Sequence, residues 1–299
     1  PALQSLGSKL TSLTANPFYG KITTGSLLVT PTVPLRQLLR PYPQYGDILI
    51  FRDPYADMNY ESMTVRIQKQ YSHGFLFTLG YTLSKTIAST GQSNTWVVGP
   101  SNALYDAKYN RSLEANDCPQ RLVLSYIYDV PFGKGKRMFT SGVPAWVLGG
   151  WEASGISVFQ SGRPILIQAP DQTNLLNFIS TNGRADRLKD PVLASGQTLS
   201  HWFDTSAFKT AAPFTVPTDS LSQPDLRGPR RINTDFSLIK NNRFREHYNV
   251  QFRAEFFNVF NHPQLEGRGA TTDLTNAQFG QIVLGGGDRN IQFGLRVVF

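Results

Sequence analysis

The stretch 59–84 reads Asn59-Tyr60-Glu61-Ser62-Met63-Thr64-Val65-Arg66-Ile67-Gln68-Lys69-Gln70-Tyr71-Ser72-His73-Gly74-Phe75-Leu76-Phe77-Thr78-Leu79-Gly80-Tyr81-Thr82-Leu83-Ser84. Within 59–71, Met63, Val65, Ile67 and Tyr71 fall on one side of an extended chain. Ser62, Thr64, Arg66, Gln68 and Gln70 fall on the other. Ser72-His73-Gly74 supplies a tight turn. Phe75, Phe77, Leu79, Tyr81 and Leu83 then alternate with Thr78, Gly80, Thr82 and Ser84. The pattern predicts a hairpin of two strands, each of about 11 residues, which is the ~9–11 residues that a tilted strand needs to cross a membrane.

Working outward, the same period recurs five times. Leu122, Leu124, Tyr126, Tyr128 and Val130 alternate with Arg121, Ser125 and Asp129. The stretch 151–161 is weaker, with Ile156 and Val158 set against Ser157 and Ser161. Ile232, Phe236 and Leu238 alternate with Asn233, Asp235 and Ser237, and Val250, Phe252, Ala254, Phe256 and Phe260 with Asn249, Gln251, Arg253 and Glu255. Ile291, Phe293, Leu295, Val297 and Phe299 alternate with Asn290, Gln292, Gly294 and Arg296. Seven strands are expected and long helical periodicity is absent.

The connections expected between them alternate in length. Ser72–Gly74, 132–145 and 241–246 are short or moderate, whereas 86–118, 163–229 and 261–288 are long. Membrane barrels sort their connections in this way, with short periplasmic turns and long external loops, and a soluble sandwich has no reason to. The fold class expected is all-β: a partial antiparallel transmembrane β-barrel with long external loops. Residues 1–57 would form an external loop region, with the apolar segment 47–51 extending a strand, and 58–299 the membrane strands and their loops. Bacterial single-chain barrels have even strand counts and no free edges. An odd count of seven, and a first residue that is Pro1 with no export signal, therefore suggest a fragment of a longer chain.

Composition supports a wall with one oily and one wet face. Charged residues are only 17% and apolar residues 40%, while 12% aromatic residues argue against disorder. The absence of any run near the ~20 apolar residues of a membrane helix does not count against a barrel. The net charge of +8 comes from scattered basic residues, apart from Lys134, Lys136 and Arg137, and Arg227, Arg230 and Arg231, so no nucleic-acid partner is expected. Cys118 stands alone, which excludes an internal disulfide. Gly133-Lys134-Gly135-Lys136 lacks phosphate-loop spacing and reads as a periplasmic turn, and the histidines have no HExxH pairing. No enzyme, catalytic residue, cofactor or metal is expected. His201-Trp202-Phe203-Asp204, in the longest loop, reads as loop packing with ligand contact as the lesser alternative.

Three residue sets follow from the barrel reading. Arg66, Arg121, Asp129, Glu152, Arg253, Glu255 and Arg296 sit on the polar face and would line the lumen. Tyr71, Phe75, Tyr128 and Phe132, with Phe299, lie near the short-turn ends and would form an aromatic girdle. The C-terminal strand carries Gln292, Gly294, Val297 and Phe299 in a pattern that resembles the signal read by the barrel-assembly machinery.

The segment Gln251-Phe252-Arg253-Ala254-Glu255-Phe256-Phe257-Asn258-Val259-Phe260-Asn261-His262-Pro263 is similar to a stretch near the C-terminus of TonB-dependent receptors, above all the Oar-like branch common in Acidobacteria. Asn16-Pro17-Phe18-Tyr19-Gly20, Leu38-Leu39-Arg40-Pro41-Tyr42-Pro43-Gln44, Tyr81-Thr82-Leu83-Ser84-Lys85, Leu148-Gly149-Gly150-Trp151 and Leu226-Arg227-Gly228-Pro229 resemble it in order. The resemblance implies a barrel of about 22 strands around an N-terminal plug, with this chain as roughly its last third. It implies an outer-membrane importer of an unidentified nutrient, with outer-membrane lipid and the assembly machinery as partners, and TonB reached through a plug that lies outside this chain. The alternatives are an outer-membrane adhesin or structural barrel, or a soluble β-rich ligand-binding protein. The last would bury Phe252, Leu79 and Leu124.

Overall fold

The computed structural model describes residues 4–24, 29–45, 57–89, 107–172, 182–220, 222–244, 248–265, 272–283 and 285–299. Seven strands form one antiparallel sheet: β1 (Met58–Ser72), β2 (Phe75–Ala88), β3 (Gln120–Asp129), β4 (Trp151–Gln160), β5 (Arg231–Phe244), β6 (Tyr248–Phe257) and β7 (Asn290–Val298). Each pairs with its neighbours in the chain, so the sheet is a plain meander, and Ser112–Leu113 adds a short pairing at the far end of β2. The expected apolar segment 47–51 lies outside the described residues.

Residues directly opposite in an antiparallel ladder point to the same face. Starting from Ile67, the register runs to Leu79 and on to Leu124. Neighbouring rows run Phe77 to Tyr126 to Gly155 to Phe236 to Phe256 to Ile291. Phe252 pairs with Leu295. One apolar face thus continues through all six strand pairings. Met63, Val65, Ile67, Phe159, Phe293, Leu295 and Val297 on it are exposed.

Among the described residues no second large sheet is formed, since the other pairings are two-stranded and sit within the connections or the N-terminal region. Leu79, Leu124 and Phe252 are half-exposed rather than buried, contrary to the soluble alternative. β1 and β7 form the two edges, so the sheet is open.

Three details differ from the alternation read in the sequence. The register shifts between Lys69 and Ser72, a bulge that lets two residues of β1 pass one step of β2. Tyr71 therefore leaves the apolar face, and its hydroxyl donates to Asp129 Oδ2 at 2.5 Å. In β4 the faces are reversed: Glu152 opposes Asp129 and Val158 opposes Val123, which puts Ile156 and Val158 on the polar side and Ser157 on the apolar side. With Leu76, Val123, Ile127 and Ile239 they make an apolar island within the polar face. Finally, β6 ends at Phe257 rather than continuing to Phe260, because Asn258 adopts φ 51° and turns the chain.

The long connections 89–119, 161–230 and 258–289 all leave from one end of the sheet, and the short ones from the other. The middle short connection carries a helix, Gly142–Leu148, that the sequence pattern did not suggest. In the N-terminal region Leu13–Ala15 pairs with Thr32–Pro34, and Asn16 Nδ2 donates to Thr30 O at 2.8 Å to hold that hairpin.

Gly155 shows how tightly the apolar face is fitted. It is buried between Tyr126 and Phe236 in the register. A Cβ there would sit 2.8 Å from the Tyr126 hydroxyl and 3.0 Å from Asp235 O. Gly155→Ala should therefore lift the Tyr126 ring and strain the β4–β5 ladder, at a cost of about 1–3 kcal/mol. A shift of the urea midpoint in detergent or lipid measures it, and an unchanged midpoint would contradict the packing.

Candidate functional site

At the long-loop end the chain builds what the sheet lacks, a hydrophobic core closed from water. Ile165, Ile167 and Ala169 alternate along an extended segment, so their side chains enter on one side. Asp204 accepts from Ser206 N at 3.0 Å and caps the turn Thr205–Ala207, which directs Ala207 and Phe208 inward. Lys189, 2.6 Å away, and Ser206 hold the Asp204 carboxyl down to about 2. Phe203, Phe208 and Phe279 meet edge to face, with centroids 5.3–6.4 Å apart, and Leu226 and Ile282 complete the cluster. The core thus joins loops 161–230 and 258–289, and Ile282 N donating to Leu199 O at 2.7 Å stitches them together. His201-Trp202-Phe203-Asp204 belongs to this packing: Phe203 is fully buried and Trp202 Nε1 donates to Arg227 O at 2.8 Å.

Loop 89–119 joins through buried charge. The Arg184 guanidinium, 1% exposed, stacks 4.1 Å from the Tyr109 ring centroid and donates to Tyr109 O at 2.8 Å and Asn110 Oδ1 at 2.7 Å. Tyr109 in turn donates its hydroxyl to Pro217 O at 2.7 Å. Asp117, also 1% exposed, accepts from Arg227 Nη2 at 2.7 Å and from Thr86 N at 2.6 Å, so one carboxylate binds the end of β2 to the loop core. Buried charge of this kind is tolerated because Asp117 is paired with Arg227, and Arg184 stacks on an aromatic ring and donates hydrogen bonds to Tyr109 O and Asn110 Oδ1. No local sequence signal marks them, since Asp117 and Arg227 lie 110 residues apart. Arg227 stood out only as part of a basic cluster and of a motif of resemblance.

Beside Arg227 a cavity of about 510 Å³ opens between the end of β2, the Arg111–Leu113 segment and Ser222–Arg227. Lys85, Arg111 and Arg227 line it against a single acid, Asp117. Arg111 is also paired with Asp57 at 2.5 Å. Among the described residues no group of acids, histidines and cysteines could hold a metal ion.

The residues singled out in the sequence lie elsewhere. Arg66, Arg121, Asp129, Glu152, Arg253, Glu255 and Arg296 all fall on the polar face of the sheet in the observed register. Of these, Asp129 and Glu152 are direct partners, and Lys136 Nζ pairs with Asp129 at 3.0 Å. Of the others, Arg253 and Glu255 are neighbours on β6 with Arg296 on the adjacent β7, while Arg66 and Arg121 lie across the sheet on β1 and β3. Phe75 and Tyr128 sit together on the apolar face with ring centroids 6.0 Å apart. Phe132 packs on Phe139 in the connection at 5.4 Å, and Tyr71 points to the opposite face. Gln292, Gly294 and Val297 lie in the edge strand β7, and Phe299 just beyond it is 92% exposed.

Among the described loop carboxyls, Asp219 is pushed upward. Burial raises it to about 6, against the opposing hydrogen bonds from Ser220 N and Gln223 Nε2 at 2.8 and 2.6 Å. The folded loops then keep a proton that the unfolded chain has already lost. Asp219's contribution to stability is thus fully present below the ordinary carboxyl value of 3.8 and falls as pH rises to about 6. Asp219→Asn should flatten the pH dependence of loop unfolding between these limits. Trp202 emission, read from pH 4 to 7 in urea, is the measurement, and a slope equal to that of the parent would rule out Asp219 as its source.

A family profile described as an outer membrane beta barrel domain matches residues 5–292. Searches of curated proteins and of solved structures found no match. The matched span takes in all of β1 through β6, the loop core and the start of β7, to residue 292. A single-layered meander with one continuous apolar face is what such a domain requires of its wall. The chain belongs to the family of outer-membrane β-barrel domains and resides in the outer membrane.

Proposed function

We propose that the chain forms part of the wall, and the associated external loops, of a TonB-dependent nutrient receptor of the Oar-like branch. The observation that carries this reading is the open edge on either side of a seven-strand meander. Unpaired backbone groups cannot face hydrocarbon, so further strands must complete the wall, and a large barrel supplies them. The resemblance at 251–263 favours a barrel of about 22 strands with its plug elsewhere in the protein. In this reading the apolar face meets lipid. Arg66, Arg121, Asp129, Glu152, Arg253, Glu255 and Arg296 face the lumen, Phe75 and Tyr128 sit at the short-turn interface, and TonB acts through the plug. In this reading the cavity beside Arg227 is a candidate place for ligand contact, and the role is binding and import rather than catalysis.

Leu79 and Thr78 are adjacent in β2 and point to opposite faces. Leu79→Arg should cost about 2–4 kcal/mol in a lipid-inserted barrel, and Thr78→Arg far less. Equal costs in a folding titration would undo the assignment of faces.

β7 presents its edge as the strand to be recognised before closure, with Gln292, Gly294, Val297 and Phe299 as the assembly signal. Deleting Phe299 should lower the amount of protein reaching the outer membrane while leaving the urea resistance of the inserted fraction intact. Normal membrane levels would speak against a terminal signal.

A further inference from the structure

The helix Gly142–Leu148 at the short-turn end has no buried residue. Val143, Trp146 and Val147 are spaced three and four apart and so share one stripe, with Val143 73% and Trp146 58% exposed. Met138 and Phe139 add exposed apolar surface just before it. A helix of seven residues is too short to persist alone in water. What holds it comes from the apolar face of the sheet. Lys240 Nζ donates to Trp146 O at 3.0 Å and also to the carbonyls of Val147 and Gly149, and Trp151 Nε1 donates to Val147 O at 3.1 Å.

Lys240 and Trp151 are register partners, and Lys240 also opposes Phe252, which places both on the apolar side. Gly133 and Gly149 let the helix press against the turn, since a Cβ on Gly133 would lie 2.7 Å from Gly149 Cα. The exposed stripe therefore continues the apolar face beyond the ends of β3 and β4. Beside it Lys134 and Arg137 are exposed, with no ion pair to another described residue.

We propose that segment 132–148 is an interfacial anchor lying in the phospholipid leaflet at the short-turn end. Val143, Trp146 and Val147 enter the boundary between headgroups and acyl chains, about 5–10 Å deep, as amphipathic interfacial helices do. Lys134 and Arg137 rest on lipid phosphates. Phospholipid is the occupant because the stripe is continuous with a face that itself meets lipid and because the flanking charge is basic. The proposal rests on the reading of the sheet as a membrane wall.

The test is spin-label accessibility in the membrane-inserted protein, with Cys118→Ser as background and single labels at Val143→Cys, Phe293→Cys and Lys209→Cys. Phe293 lies on the apolar face and Lys209 in the loops. The label at position 143 should favour oxygen over a water-soluble nickel chelate severalfold more than that at 209, and less than that at 293. A label at 143 that matches 209 would overturn the anchor by placing it in water. One shielded from both reagents would overturn it in favour of a protein contact. If the label at 293 also behaves as in water, the wall reading itself fails, which separates the two failures.

Discussion

In hydrocarbon a strand has no water to satisfy its backbone, so every amide must find its partner on the next strand. The side chains are then committed two by two, because a slip of one residue turns a whole strand inside out. Six successive pairings here keep that phase, from Ile67 to Leu79 at one side to Phe252 and Leu295 at the other. The apolar face is a property of the ladder as a whole rather than of any one strand. A buried glycine under Tyr126 lets that face pack closely, and the ladder's register shift falls at the turn end of β1, before Ser72.

The wall was readable in the sequence where each strand carries its own strong alternation, and all seven strands are found where that alternation lies. Where the alternation weakens, the reading loses phase. In 151–160 the apolar side of β4 holds Ala153, Gly155 and Ser157, small residues that fit beneath larger neighbours, while Ile156 and Val158 face the other way. The face is set by the partners in β3 and β5, which no local pattern can reveal. Tyr71 was misplaced for a related reason, since a bulge is a statement about two strands at once.

The loops were legible only as lengths. Their core is assembled from residues far apart in the chain, such as Ile165, Phe208 and Ile282, and their ion pairs cross from one connection to another. Turn-rich, proline-rich sequence predicts irregular backbone and says nothing about which turns will share an interior. Arg184, Asp219 and the Asp117–Arg227 pair therefore emerged only with the tertiary structure. The helix Gly142–Leu148 escaped notice because it is short and its stability comes from Lys240 and Trp151 on other elements.

The separation of a loop core from the wall has a thermal consequence. Among the described residues the compact buried apolar cluster lies in the loops, and exposing it on unfolding carries a large positive heat capacity. The apolar face of the wall meets water only if its strands leave the membrane, because an unpaired strand cannot stay in hydrocarbon. Warming or cooling away from the optimum acts first on the rim. The loops can then open around a wall whose strands stay paired.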